Sequence, residues 1–307
     1  MAPLIRPPRL LPGEPTALIL PASPPRAGLL AAGARRLEQA GYRVSLGPNA
    51  RRRCGYLAGT DAERRRDLQW AFGEPAIKAV FCGRGGYGVS RVLESLPPAL
   101  LRRHPKIVVG FSDITLLHLA LQKAGLVSFW GPMPAASTGL TPYALQWLRK
   151  ALEGGKPLGR IQLKGPVIRP GRAEGRLTGG TLTLLAASLG TPYAVETRDR
   201  IVFLEDVGEE PYRVDRMLTQ LLAAGRLRDA AGIVLGRFVD CKPRNRSYRP
   251  SQSLAEVFAD RLGPLKLPVV SGLPLGHIAN QVTLPYGVKA RLDANRGILD
   301  IVETAVV

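Results

Sequence analysis

Short apolar runs alternate with amphipathic stretches through the first half of the chain. Thr16–Leu20, Tyr42–Leu46, Ile77–Cys82, Lys106–Gly110 and Val127–Trp130 are brief, mostly apolar segments. Runs of that length bounded by turn residues predict buried strands. Between them lie stretches with helical spacing: Leu29–Ala40, ended by Gly41, then Asp61–Phe72, and two more starting near Val89 and Ile114, the latter reaching Lys123. Thr60 and Glu63 form the start signal of a capping box for the second helix. Such alternation predicts an α/β domain with a parallel sheet covered by helices.

The punctuation changes after about Thr141. Gly154, Gly155, Pro157, Gly159, Gly165, Pro166, Pro170 and Gly171 break the pattern and predict a loop-rich boundary. Beyond it the periodicity resumes. Helices are expected at Gly179–Leu189, Val214–Ala224 and Leu254–Leu262, and strands at Arg200–Glu205, Gly232–Phe238 and Val269–Ser271, with further short strands toward the C-terminus. The division expected is therefore an N-terminal α/β domain over 1–150, a linker over 151–175 and a smaller C-terminal domain over 176–307. A length of 307 residues suits two such domains.

Composition narrows the class. At 45% apolar and 22% charged residues the chain is neither disordered nor collagenous. Its apolar runs fall far short of the ~20 residues that span a bilayer, so no membrane partner is expected. The formal net charge of +19 comes from 34 Arg and nine Lys against 24 acids. The Arg clusters (Arg51–Arg53, Arg64–Arg66, Arg102 and Arg103, and Arg244, Arg246 and Arg249) are not interleaved with aromatics, and no nucleic-acid-binding motif accompanies them. A compositional preference for Arg, with a positive field that attracts anionic small substrates, fits better than specific nucleic-acid binding. Cys54, Cys82 and Cys241 are odd in number and show no CxxC spacing, which argues against a disulfide framework or a zinc site. Pro7, Pro8, Pro12 and Pro15 break any signal-peptide core, so a cytoplasmic location is expected.

Three segments carry candidate chemistry. Gly83, Gly85 and Gly88 spell GxGxxG between a strand and a helix. The motif is not on the first strand, and Arg102 and Arg103 stand where a ribose-binding acid would be. The same glycines suit backbone N–H groups presented to an anion or oxyanion. Ser112 follows the strand that ends at Gly110, in nucleophile-elbow position, although Ile114 replaces the second Gly of GxSxG. Helix capping is the alternative role for its hydroxyl. A serine nucleophile needs a base, and the chain has three histidines: His104, His118 and His277. His277 sits in a glycine-flanked loop, where catalytic groups tend to be displayed. The orienting acid is Glu205 or its neighbour Asp206; strand alternation lets only one of them face the imidazole.

At these residues the sequence resembles the LD-carboxypeptidases, or muramoyltetrapeptide carboxypeptidases, whose relatives include the microcin C immunity hydrolases. The likeness runs over nearly the whole chain. It includes Ala22-Ser23-Pro24, Ala79–Leu93, Gly110–Thr115, Gly131-Pro132-Met133, Gly179–Tyr193, Phe203–Leu221 and Gly272–Asp293, in that order.

The resemblance implies a flavodoxin- or glutamine-amidotransferase-like N-terminal domain. It also implies a smaller C-terminal α/β domain with a swivelling, β-barrel-like sheet. Carried over residue by residue, it makes Ser112 the nucleophile, Glu205 rather than Asp206 the acid, and His277 the base. The backbone N–H groups of Asp113 and Gly86 become the oxyanion hole. The implied activity is peptidoglycan recycling without metal or cofactor, by a homodimer that releases terminal D-Ala from murein tetrapeptides; hydrolysis of peptidyl- or aminoacyl-adenylates is the alternative. For the substrate carboxylate, Arg84 and Arg237 are the basic candidates. The sequence departs from the family pattern at Trp130, often His, at Thr181, often Asn, and at Tyr286, commonly Leu. Trp130 is expected to give the substrate an apolar, stacking wall.

Overall fold

The computed structural model describes residues 4–244 and 250–307, so Arg246 and Arg249 of the last Arg cluster lie outside the described residues. The chain divides into two units. Unit 1 comprises Met1–Lys156, Ala279–Gly287 and Thr304–Val307, and unit 2 comprises Pro157–Ile278 and Val288–Glu303.

In unit 1 the order is β1 (Pro15–Ile19), α1 (Leu29–Gln39), β2 (Arg43–Leu46), α2 (Asp61–Gly73), β3 (Ala79–Cys82), α3 (Pro98–Arg103), β4 (Ile107–Gly110), α4 (Thr115–Lys123), β5 (Phe129–Trp130) and α5 (Pro142–Leu152). In unit 2 it is β6 (Gly159–Gln162), β7 (Val167–Arg169), β8 (Arg172–Thr181), α6 (Leu182–Ser188), β9 (Arg200–Val207), α7 (Pro211–Ala223), β10 (Gly232–Val239), α8 (Leu254–Leu262) and β11 (Val269–Ser271). Then β12 (Leu284–Pro285) belongs to unit 1, while β13 (Lys289–Asp293) and β14 (Ile298–Ile301) belong to unit 2.

The sheet of unit 1 has the order β12-β5-β4-β3-β1-β2. Its first five strands run parallel, and β12 is antiparallel to β5. The order 2-1-3-4-5 is that of flavodoxin-like sheets, whose ligands sit beyond the carboxyl ends of the strands where the order reverses, between β1 and β3. Both β3 and β4 are wholly buried, which explains their uninterrupted apolar sequences. The capping box of α2 forms: the Glu63 N–H donates to Thr60 Oγ1 and the Thr60 N–H to Glu63 Oε2.

Unit 2 is built on a mixed sheet of order β6-β14-β13-β8-β9-β10-β11-β7. Strands β8 to β11 are parallel, and the flanking strands join antiparallel. Its edge strands β6 and β7 are only four residues apart in sequence. A connection that short spans under about 20 Å, whereas the edges of a flat eight-stranded sheet lie over 30 Å apart. The sheet therefore curls strongly. No ladder joins β6 to β7 among the described residues, so the barrel-like expectation is corrected to a curled, open sheet.

Several elements differ from the sequence pattern. The helix expected from Val89 is two short 3₁₀ turns, Val89–Arg91 and Leu93–Ser95. The helix expected from Gly179 starts at Leu182, because Gly179 and Gly180 continue β8 at φ +137° and +135°. A Cβ at Gly179 would lie 2.0 Å from the Phe203 carbonyl oxygen, so the missing side chain at Gly179 lets β8 lie against β9. The stretch 151–175 is no bare connector, since it supplies β6, β7 and the start of β8. Just before it, α5 is capped by Thr141, whose Oγ1 accepts from the Ala144 N–H, with Pro142 at its first position. Among the described residues no helix is long and apolar enough to cross a membrane.

Removing the Thr60 hydroxyl tests the first of these local signals. The Thr60→Ala variant is expected to lose about 1 kcal/mol of stability in urea unfolding; an unchanged midpoint would show that the capping box does not support α2.

Candidate active site

In unit 1, three loops leave the carboxyl ends of adjacent strands. Ala22-Ser23-Pro24 follows β1, the glycine loop 83–88 follows β3, and Phe111-Ser112-Asp113 follows β4. They stand at the reversal of strand order. Ser112 has φ +62°, one of the few left-handed non-glycine residues among those described. Such a backbone costs about 1–2 kcal/mol and turns the side chain sharply out of the strand direction. The chain then enters a 3₁₀ turn, Ser112–Ile114, that runs into α4.

The glycine loop packs directly on this elbow. A Cβ at Gly85 would lie 2.8 Å from Ser112 Cβ and 3.2 Å from the Asp113 nitrogen. Gly86 has φ +100°, and a Cβ there would strike the Ser23 hydroxyl at 2.5 Å. Ser23 holds the loop twice: its N–H donates to the Gly85 carbonyl at 3.1 Å, and its Oγ accepts from the Tyr87 N–H at 3.1 Å. The Asp113 carboxylate accepts from the Val89 N–H at 2.8 Å. These bonds leave the N–H groups of Gly86 and Asp113 outside the loop's own network. Burial pushes the Asp113 carboxyl up to about 6, opposed by the Val89 N–H and the charge of Arg64.

His118, on α4, lies wholly in the core. Its Nε2 is 2.9 Å from the Gly110 carbonyl and its Nδ1 2.9 Å from Ser128 Oγ. A carbonyl can only accept, so Nε2 carries the proton and Nδ1 accepts from the serine. The ring stacks on Tyr286 at 4.6 Å. Burial lowers its pKa to about 4. His118 thus anchors the carboxyl end of β4, two residues before Ser112. Tyr286, where the resemblance implies a Leu, is its stacking partner.

In unit 2, Glu205 lies in a run of buried positions on β9 that continues through Asp206, and is 0% exposed. Its Oε2 is 2.8 Å from His277 Nδ1, and its Oε1 accepts from Thr181 Oγ1 at 2.6 Å. Thr181 and Glu205 are register partners across β8 and β9. Gly276, at φ +133°, is where a Cβ would come within 3.1 Å of Glu205 Oε2. His277 is one-fifth exposed at its side chain. With a carboxylate on Nδ1, that nitrogen carries the proton and Nε2 becomes the basic one. Asp206 points to the other face: its Oδ2 accepts from the N–H and hydroxyl of Thr183 at the start of α6. Burial pushes its carboxyl up to about 6.

The structure brings Glu205 and His277 together in unit 2, and Ser112, Asp113 and Gly86 together in unit 1. Arg84 is half-buried and donates to the Pro24 carbonyl. Arg237 is exposed on β10 and lines a cavity of about 580 Å³ with Phe238, Phe258 and Lys164. Trp130 does not offer a wall to substrate: it is 0% exposed, tilts against Phe111 at 5.3 Å and donates to Gln281 Oε1 at 3.2 Å. Its place on the short strand β5, between β4 and the edge strand β12, makes it core. Sequence reasoning missed the use of Thr181. Its signal was a hydroxyl in the strand register opposite the acid. Among the described residues no cluster of three or more His, Cys, Asp or Glu is arranged to hold a metal ion.

Comparison with known proteins adds to this geometry. Residues 16–131 match the LD-carboxypeptidase N-terminal domain and residues 174–292 the LD-carboxypeptidase C-terminal domain. The chain is 40% identical to a probable murein peptide carboxypeptidase of Bacillus subtilis over 294 residues, covering 94% of this chain and 91% of the relative. It is 38% identical to the murein tetrapeptide carboxypeptidase of Pseudomonas aeruginosa over 291 residues, covering 91% and 93%. A crystal structure of muramoyltetrapeptide carboxypeptidase from Oxalobacter formigenes superposes with a TM-score of 0.82 at 33% identity, covering 94% of this chain and 99% of that one. The microcin C7 self-immunity protein MccF of Escherichia coli is 25% identical over 307 residues, covering 88% and 87%.

The buried state of His118 makes a pH prediction. Its folded pKa is depressed below the ordinary ~6.5, so the unfolded chain binds the extra proton. The stability of the neutral, buried ring is present above about pH 6.5 and drains away as pH falls toward 4. The stability gap between the wild type and His118→Gln should therefore narrow by roughly 3 kcal/mol from pH 7.5 to pH 4. Denaturant titrations showing a constant gap across that range would contradict a neutral core imidazole.

Proposed function

The chain belongs to the LD-carboxypeptidase family, and from that premise we propose that it is a serine hydrolase releasing terminal D-Ala from murein tetrapeptides. The observation that carries the reading is the buried Glu205 carboxylate, held by Thr181 on one oxygen and by His277 Nδ1 at 2.8 Å on the other. A carboxylate fixed in this way orients an imidazole as a base and stabilises its protonated form. The left-handed Ser112 supports the other half of the reading.

In the proposed cycle His277 Nε2 takes the proton of Ser112 Oγ as the oxygen attacks the carbonyl carbon of the L,D-amide. The developing oxyanion takes hydrogen bonds from the N–H groups of Gly86 and Asp113, each donor worth on the order of 3 kcal/mol of barrier. The C–N bond breaks, and the D-Ala amine leaves with the proton from His277. Water, deprotonated by the same imidazole, then hydrolyses the seryl ester and restores the enzyme. Arg84 and Arg237 are the cations assigned to the terminal carboxylate, which an Arg fork can bind through two parallel bonds.

The relatives at 38% and 40% identity are named for murein peptides, which favours that substrate over the alternative suggested by the MccF likeness, an acyl-adenylate conjugate. Incubation with L-Ala-γ-D-Glu-diaminopimelate-D-Ala should release D-Ala, measured by amino-acid oxidase coupling. The Ser112→Ala variant should release none, and Glu205→Gln should lose about 10⁴-fold in kcat. Thr181→Val should lose roughly 10-fold, the worth of one hydrogen bond to a buried charge. Equal D-Ala release by Ser112→Ala would remove this reading. Turnover of an aminoacyl sulfamoyl adenylate without tetrapeptide turnover would select the alternative.

A further inference from the structure

We propose that Arg64 and the Asp113 carboxylate are a positioning pair that fixes the oxyanion loop by gripping the two ends of a single peptide unit, Gly88–Val89. The inference rests on the reading of Ser112, Gly86 and Asp113 given above. Arg64 lies in the first turns of α2 and is 1% exposed, although its neighbours Arg65 and Arg66 are exposed. Its Nη1 donates to the Gly88 carbonyl at 2.7 Å and to the Pro21 carbonyl at 2.6 Å, and its Nη2 to Asp61. From the other side, the Asp113 carboxylate accepts the Val89 N–H at 2.8 Å.

One amide therefore has a cation at its oxygen and an anion at its nitrogen. Both bonds are charge-assisted, and both charges align with the amide dipole. Rotation of this peptide would break the two bonds together. The guanidinium fits because Gly88 has no side chain: a Cβ there would lie 2.9 Å from Arg64 Nη1.

The position of this grip gives it a consequence for catalysis. Gly86, whose N–H is one proposed oxyanion donor, lies two residues before Gly88. Ser23 holds Gly85 and Tyr87 on either side of it. The other proposed donor is the N–H of Asp113 itself. Asp113 thus presents one donor from its backbone and restrains the loop of the other through its side chain. The spacing between the two donors is set by a bond within one residue's reach. Through Pro21, Arg64 also ties the loop after β1 to the same point.

Three variants test the pair: Asp113→Asn, which keeps shape and an acceptor but loses charge, Arg64→Lys and Arg64→Met. Hydrogen–deuterium exchange over residues 83–90 reports on the loop without reference to activity. Exchange there should quicken in Asp113→Asn and Arg64→Met, while core strands keep their protection. The rate at which a fluorophosphonate labels Ser112, and kcat on the tetrapeptide, should fall about 10- to 100-fold, with KM within twofold. Arg64→Lys should recover part of the loss by keeping one cationic donor.

Folded variants whose loop exchange and labelling rate match the wild type would overturn the proposal. So would a loss confined to KM, or a fall in melting temperature with kcat unchanged. If the wild type is labelled no faster than Ser112→Ala, the serine-hydrolase reading fails instead, and the exchange measurement still decides whether the grip exists. Should Arg64→Met not fold, Asp113→Asn and Arg64→Lys carry the test.

Discussion

A left-handed backbone at Ser112 is the constraint on which the architecture of unit 1 turns. No β-carbon-bearing residue adopts φ +62° without cost, so the surroundings must hold it there. They do so from three sides. Behind it, the Gly110 carbonyl is pinned by the buried His118 ring and by the Gly131 N–H. In front, the glycine loop lies close enough that Gly85 can carry no side chain. Beyond it, the Asp113 carboxylate fastens onto Val89. The parallel sheet supplies the remaining requirement, since adjacent strands ending at one edge bring their loops together.

Unit 2 shows how two neighbouring acids on one strand receive different roles. Alternation sends Glu205 and Asp206 to opposite faces of β9. Glu205 meets a threonine hydroxyl and an imidazole; Asp206 meets the start of α6. Both are almost completely buried, so each needs partners to offset desolvation. In Glu205 the partner is a ring that can itself accept a proton.

Much of this was legible in the sequence because local and tertiary signals agree. The buried strands of unit 1 announce themselves as apolar runs, and Thr60 with Glu63 marks the start of α2. The pairing of Glu205 rather than Asp206 with His277 needed the family resemblance, since alternation alone separates the two acids without choosing between them. Other features were hidden for physical reasons. Gly179 and Gly180 read as the start of a helix, yet both continue β8 at positive φ, and Gly179 allows close contact with β9. Strands β6 and β7 are too short, and too closely flanked by turn residues such as Pro157, Gly165, Pro166, Pro170 and Gly171, to stand out. Trp130 looked like a substrate wall because an aromatic residue carries no mark of which side it will face. Arg64 disappeared into an Arg-rich composition. Its signal lay in helical phase: Arg64, Asp67, Leu68 and Ala71 form the inward stripe of α2, with two charged residues on core positions.

The return of residues 279–287 to unit 1 interleaves the two units along the polypeptide. The strand that covers β5, the acceptor for the Trp130 indole and the ring that stacks on His118 all come from that segment. During synthesis from the N-terminus they leave the ribosome only after Glu205 and His277. The serine-bearing sheet therefore cannot complete its packing as a nascent fragment. Order of translation thus ties the maturation of one half to the emergence of the other, and no single cut in the gene yields unit 1 whole.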